Sequence, residues 1–260
     1  MNITETIWKI NISLWTEQYL NDRLQPLFDR IADEMEEQVG SHPVLGFKPI
    51  DIRLDAQFGP TLYWPLQKGQ YRLGLKLGKD EYAKAVMQFA HALCHLYIDP
   101  RVNNWFIESI CQMTGYFFLD LFADLYNGYE VPVGFEDKGQ SFSDYYKERI
   151  KALYKQIDLV QHQHSSDWIK QEVRSLVCDK KWNALINDMV ALELLKLFKT
   201  KPVMWQIIPF IGLSTSPLPP RDKRNLSSTN LACPDFEMLK EIVPIEFKAH
   251  VEAILERVWE

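Results

Sequence analysis

Residues 85–98 read Ala85-Val-Met-Gln-Phe-Ala-His-Ala-Leu-Cys-His-Leu-Tyr-Ile98, an apolar stretch whose only strongly polar side chains are Gln88, His91 and His95. Spaced i, i+3 and i+7, these three fall on one narrow stripe of an α-helix at about 100° per residue. The stretch Trp105-Phe-Ile-Glu-Ser-Ile-Cys-Gln-Met-Thr-Gly-Tyr-Phe-Phe-Leu119 repeats the arrangement, with Glu108 and Gln112 four apart on one face. A helix that is apolar nearly all round is buried, and a carboxylate on it has to be paired, protonated or bound to a metal. These two helices therefore mark both the core and the place to look for chemistry.

Working outward, Asp80 is expected to cap the first of them over 81–98, which Pro100 stops. The second is expected over 105–126, closed by Asn127-Gly128. Upstream, from Pro43 to Gly78, the period changes to two. Ile50, Ile52 and Leu54 alternate with Asp51, Arg53 and Asp55, and Tyr71, Leu73, Leu75 and Leu77 alternate with Arg72, Gly74 and Lys76, which predicts strands of a small sheet exposed on one side. At the N-terminus, Asn2 with Glu5 has the form of a capping box. Ile3, Ile7, Ile10 and Leu14 follow at helical spacing and predict an opening helix. Leu20, Leu24, Leu27, Phe28, Ile31 and Met35 carry a second helix to Gly40, with a kink or break expected at Pro26.

Downstream of Gly139 the pattern is almost wholly helical, with helices expected over 143–160, 167–177, 182–198 and 234–259. Between the last two lies a Pro/Ser/Asn-rich stretch carrying Arg221, Lys223 and Arg224. The fold class that follows is α+β and mainly helical, with a small β-sheet before the His-x3-His helix and a helical C-terminal part. A boundary near 130–142 divides the chain into residues 1–130 and a helical subdomain of 131–260, the latter with its Pro/Ser-rich loop at 214–234.

Composition fits an ordinary globular chain: 47% hydrophobic and 25% charged over 260 residues, far from disordered compositions. Lys+Arg number 29 against 35 Asp+Glu, and the net charge of -6 argues against nucleic acid or an anionic membrane as partner. The excess lies wholly in residues 1–130, with 11 basic and 17 acidic side chains against 18 of each in 131–260. Asp29, Asp33, Glu34, Glu36 and Glu37 supply much of it as a solvated helix face. Four cysteines without a CxxC are too few for a disulfide framework. No basic segment followed by an apolar one opens the chain, and its apolar runs fall short of the ~20 residues that span a bilayer. The expected compartment is the cytoplasm.

Two histidines at i and i+4 present their imidazoles to a common point, and a carboxylate from the neighbouring helix completes a His2Glu set with an open fourth position. That composition suits catalytic zinc. The order His91-Ala92-Leu93-Cys94-His95, nine intervening residues, then Trp105-Phe106-Ile107-Glu108 resembles the gluzincin zinc metallopeptidases. In those enzymes HExxH supplies two ligands and a downstream W-x-x-E the third, with a small sheet before and helices after. The resemblance covers residues 45–130; beyond them the chain matches only in being helical. It implies a zincin-like core, Zn2+ held by His91, His95 and Glu108, Gln112 as a partner orienting a ligand, and a cleft for a peptide or protein.

Ala92 is the departure. In HExxH that position holds the glutamate that takes the proton from the attacking water, a role worth roughly 10²–10⁴ in rate, and alanine cannot take it. The continuation Glu108-Ser109-Ile110-Cys111 departs too. The expected function is therefore a zincin-like protein, impaired as a peptidase, that retains zinc and its cleft. Two alternatives stand beside it. One is an active metallohydrolase whose base comes from elsewhere, such as Glu136 or Asp137 in the 129–148 segment. The other is a metal-free interaction protein in which the His pair and Glu108 satisfy one another by hydrogen bonding. Cys94 and Cys111 are read as small core residues. Gly134-Phe-Glu-Asp-Lys-Gly139-Gln140-Ser141 has P-loop spacing, but Gln140 replaces the phosphate-binding lysine and Pro132 spoils the strand before it.

Overall fold

The computed structural model describes residues 7–55, 57, 59–126, 138–160, 166–179, 183–215 and 234–260. Helix accounts for 67% and strand for 11%, so the α+β, mainly helical class holds. The order is β1 (Ile10–Ser13), α1 (Gln18–Val39), β2 (Ile50–Leu54), β3 (Thr61–Gln67), β4 (Gln70–Leu75), α2 (Tyr82–Ile98) and α3 (Trp105–Leu125). Then come α4 (Lys138–Val160), α5 (Ser166–Asp179), α6 (Ala184–Thr200), a 3-10 turn (Pro202–Ile207), α7 (Ile208–Leu213), α8 (Phe236–Ile242) and α9 (Ile245–Val258).

The sheet is mixed, in the order β1-β2-β4-β3. β1 and β4 flank β2 in parallel, and β3 returns antiparallel on β4, so that β1 and β3 are the two edges. Lys68 and Gly69 make the β3–β4 turn at φ 54° and 76°, the left-handed pair that a two-residue hairpin requires. Where an opening helix is expected, Ile10–Ser13 form a strand instead. Ile10 and Ile12 are buried while Asn11 and Ser13 are exposed, because Ile10, Ile12 and Leu14 also satisfy a period of two. Parallel pairing of Ile10 with Ile50 decides between the two periods.

Other expected boundaries shift for physical reasons. α1 runs unbroken through Pro26, because Leu24, Leu27, Phe28 and Ile31 are buried on either side and tertiary packing overrides the local penalty. Asp80 does not cap α2: it has φ 66°, and the helix starts at Tyr82 with Glu81 at the cap position and no side-chain cap bond. Instead the Glu81 carboxylate accepts the Gly78 N–H at 2.7 Å. The last expected helix is two, broken where Val243 is extended before Pro244. Asn127, Gly128, the P-loop-like stretch up to Asp137, His162, His164 and the 216–233 part of the Pro-rich segment lie outside the described residues.

α2 is buried along almost its whole length, and α3 lies alongside it. A Cβ on Gly115 would come within 3.0 Å of Met87 Cγ and of the Met87 carbonyl, so glycine sets how closely α3 approaches α2. Asn104 caps α3 by accepting the Ile107 N–H at 2.9 Å, which fixes where the helix carrying Glu108 begins. Trp105, Phe106, Phe236 and Trp259 stack into one aromatic cluster that ties the start of α3 to α8 and the C-terminal end of α9. Among the described residues no helix is long and apolar enough to cross a membrane.

Candidate metal centre

The polar stripe of α2 divides into two uses. Gln88 is occupied by main chain: its Oε1 accepts the Lys76 N–H at 2.8 Å and its Nε2 donates to the Lys76 carbonyl at 3.1 Å, clamping α2 just past the end of β4. His91 and His95 turn toward α3. Their ring centroids lie 5.1 Å apart. His91 Nε2 is 3.4 Å from Glu108 Oε2, and His95 Nε2 is 3.6 Å from Glu108 Oε1. Donor atoms of the three residues all lie within 4.8 Å of one another. The side chains are 11%, 11% and 16% exposed, so the group is largely buried with an outlet to solvent.

Burial alone would push the Glu108 acid up, but the His95 and His91 imidazoles outweigh it and hold the carboxyl well below its ordinary range. Glu108 is therefore an anion facing two imidazoles. Zinc at 2.0–2.1 Å from tetrahedral donors spaces those donors about 3.3 Å apart. The two His–Glu separations sit just above that spacing and beyond the 2.7–3.2 Å of an ordinary N–H···O bond. His91 Nδ1 is buried without a hydrogen-bond partner. Mutual hydrogen bonding thus leaves this group incompletely satisfied, whereas the donor types and spacing fit a divalent metal.

The position after His91 offers nothing to move a proton. Ala92 is buried, and neighbouring hydroxyls are spent on main chain: Ser109 donates to the Trp105 carbonyl at 2.8 Å and Thr114 to the Ile110 carbonyl at 2.9 Å. Cys94 and Cys111 are fully buried free thiols outside the donor set. Burial, the Cys94 thiol and the Glu108 charge push the Cys111 thiol up, keeping it a neutral core group. Of the remaining histidines, His42 stacks edge-on against Phe47, and neither it nor His250 joins the set. Glu136 and Asp137, the sequence candidates for a base from elsewhere, lie outside the described residues.

One carboxylate near the site escaped the sequence reading. Asp188 on α6 accepts the Tyr116 hydroxyl on Oδ1 at 2.8 Å, and its Oδ2 lies 3.7 Å from the Arg149 guanidinium. Burial pushes its acid up; Tyr116, Arg149, the nearby His91 imidazole and Gln112 draw it back. Gln112 lies on α3, about one turn after Glu108 and one before Tyr116. The signal was present in Ala184-Leu-Ile-Asn-Asp-Met-Val190, where a carboxylate interrupts an apolar helix as Glu108 does. No protein-family model, no curated protein and no solved structure matches this chain.

Proposed function

We propose that this chain is a zincin-related protein that holds Zn2+ through His91, His95 and Glu108, is impaired as a peptidase at Ala92, and uses the cleft beside that centre to bind a peptide or protein. The observation that carries the reading is the convergence of one carboxylate and two imidazoles, from two buried helices, at separations of 3.4 and 3.6 Å. When bound, zinc supplies Lewis acidity toward a carbonyl oxygen. The chain's own residues supply the rest: Glu108 offsets the metal's charge, and the apolar faces of α2 and α3 exclude water and fix the imidazoles. A methyl group at 92 leaves the proton of an attacking water with no acceptor there.

The peptide-binding part is supported by β3. It is one of the two edge strands of the sheet, and Tyr63 and Trp64 on it are 37% and 39% exposed. An extended peptide can add to such an edge, with aromatic side chains contributing contact area. Pro65 limits the length over which main-chain pairing can run.

Ala92→Glu tests the assignment of the impairment. In zinc-loaded, folded protein it is expected to raise hydrolysis of unstructured peptides by roughly 10²–10⁴, with the gain abolished by a chelator. A zinc-loaded, folded variant with no gain would contradict it.

A further inference from the structure

Two helices carry charge that the metal centre does not use. On α4, Lys147, Lys151 and Lys155 are exposed and recur at i, i+4 and i+8, so they form one stripe that rises about 6 Å per lysine. With Tyr146, Ile150 and Tyr154, which follow the same spacing one residue earlier, they line a cavity of about 590 Å³. Tyr146 is held there by an edge-on contact with Tyr116 of α3, ring centroids 6.1 Å apart, while Tyr154 is 40% exposed. Among the described residues none of the three lysines has an ion-pair partner, although Asp144 and Glu148 lie three residues before Lys147 and Lys151.

α1 carries the opposite sign at the same spacing. Asp29, Asp33 and Glu37 stand at i, i+4 and i+8, and none of them has an ion-pair partner among the described residues; the neighbouring Arg30 is taken by Glu34. Burial and the Asp33 charge push the Asp29 acid up, as expected for a stripe short of cations. α1 packs on α2, β1 and the 3-10 turn, whereas α4 packs on α3, α2 and α6. The two stripes therefore do not neutralise each other within one chain.

Helices whose opposite charges repeat every ~6 Å can pair residue for residue along about 12 Å. The tyrosine rings and Ile150 beside the lysines displace water and strengthen such pairing. The net charge of -6 acts against any general attraction between copies, so association has to rest on a local match of this kind.

We propose that the α4 groove is a docking surface for a second copy of this chain, with Asp29, Asp33 and Glu37 of the second copy's α1 set against Lys147, Lys151 and Lys155. Each copy offers one stripe of each sign, so the contact joins unlike surfaces.

The test is sedimentation equilibrium at low salt, with folding checked by circular dichroism. It compares wild type, a chain with Lys147→Glu, Lys151→Glu and Lys155→Glu together, a chain with Asp29→Lys, Asp33→Lys and Glu37→Lys together, and an equal mixture of the two variants. Wild type is expected to self-associate, and each variant alone to do so at least about 10-fold more weakly. The mixture should recover, because it restores opposite charge at both stripes. The lysine positions are exposed, so that variant decides the matter if the acid-reversed chain does not fold. Wild type that stays monomeric at every concentration reached, a lysine-reversed chain that associates as wild type does, or two folded variants that stay apart when mixed would overturn the proposal. Monomeric wild type that binds poly-glutamate through the same lysines would overturn the second copy as occupant in favour of an acidic partner. Zinc enters none of these measurements, so their outcome is independent of the metal reading.

Discussion

At Glu108 two opposing influences meet, and their balance defines the site. Burial favours the neutral acid, yet the imidazoles of His95 and His91 keep the carboxylate charged. One carboxylate and two imidazoles in a largely buried pocket supply the donor types of a metal ligand set. Sulfur plays no part in this account, because Cys94 and Cys111 face the core and each other. Replacing either by alanine should therefore leave zinc affinity unchanged to within about twofold. The small cavity should cost about 1 kcal/mol of unfolding free energy in a denaturant titration. A large loss of zinc affinity at unchanged stability would return sulfur to the ligand set.

At the scale of elements, close approach and cross-helix charge do the positioning. A Cβ on Gly212 of α7 would sit 2.0 Å from the Ile98 carbonyl oxygen at the end of α2. Gly212→Ala is expected to destabilise the fold by about 1–3 kcal/mol, read as a lower denaturant midpoint. Glu193 joins α6 to α9, accepting Arg257 Nε at 2.7 Å, with Lys196 beside it. Burial raises its acid, but Lys196 and Arg257 together lower it below its ordinary value. A depressed carboxylate contributes stability that is present above its unfolded value, about 4.3, and is lost as pH falls through the folded one. Glu193→Gln should thus cost about 1 kcal/mol or less near neutrality, since its partners are half exposed, and progressively less as the pH is lowered through the acid range. A loss that is independent of pH would contradict the charge assignment.

The same scale shows what the sequence could reveal. α2 and α3 were legible because a few polar side chains stand out on long apolar helices, and the His-x3-His and W-x-x-E spacings named the three donors. β1 was misread because Ile10, Ile12 and Leu14 satisfy the strand period as well as a helical one, and pairing with β2 lies outside any local window. β3 was missed since Pro65 and exposed aromatics hide its alternation. Asp188 went unseen for a related reason: its partners Tyr116 and Arg149 come from two other helices, and nothing in local spacing joins them.

For the whole molecule, one buried apolar cluster runs from Trp8 through the sheet and α2–α3 to Val258. A metal held by α2 and α3 lies inside that cluster, so the unfolded chain cannot bind it in the same way, and zinc binding should appear as global stabilisation. At free zinc 100 times the dissociation constant the gain is about 2.7 kcal/mol, a rise of roughly 5–10 °C in melting temperature for a chain of this size. Calorimetry with and without chelator checks this, and no shift at saturating zinc would count against a metal in the core.

The most direct measurement is elemental analysis of the purified, dialysed protein beside His91→Ala, His95→Ala and Glu108→Ala, each shown to be folded by circular dichroism. One zinc per wild-type chain and none in the three variants is the expected result. A metal-free wild-type protein that does not take up added zinc, with the three variants equally stable, would contradict it.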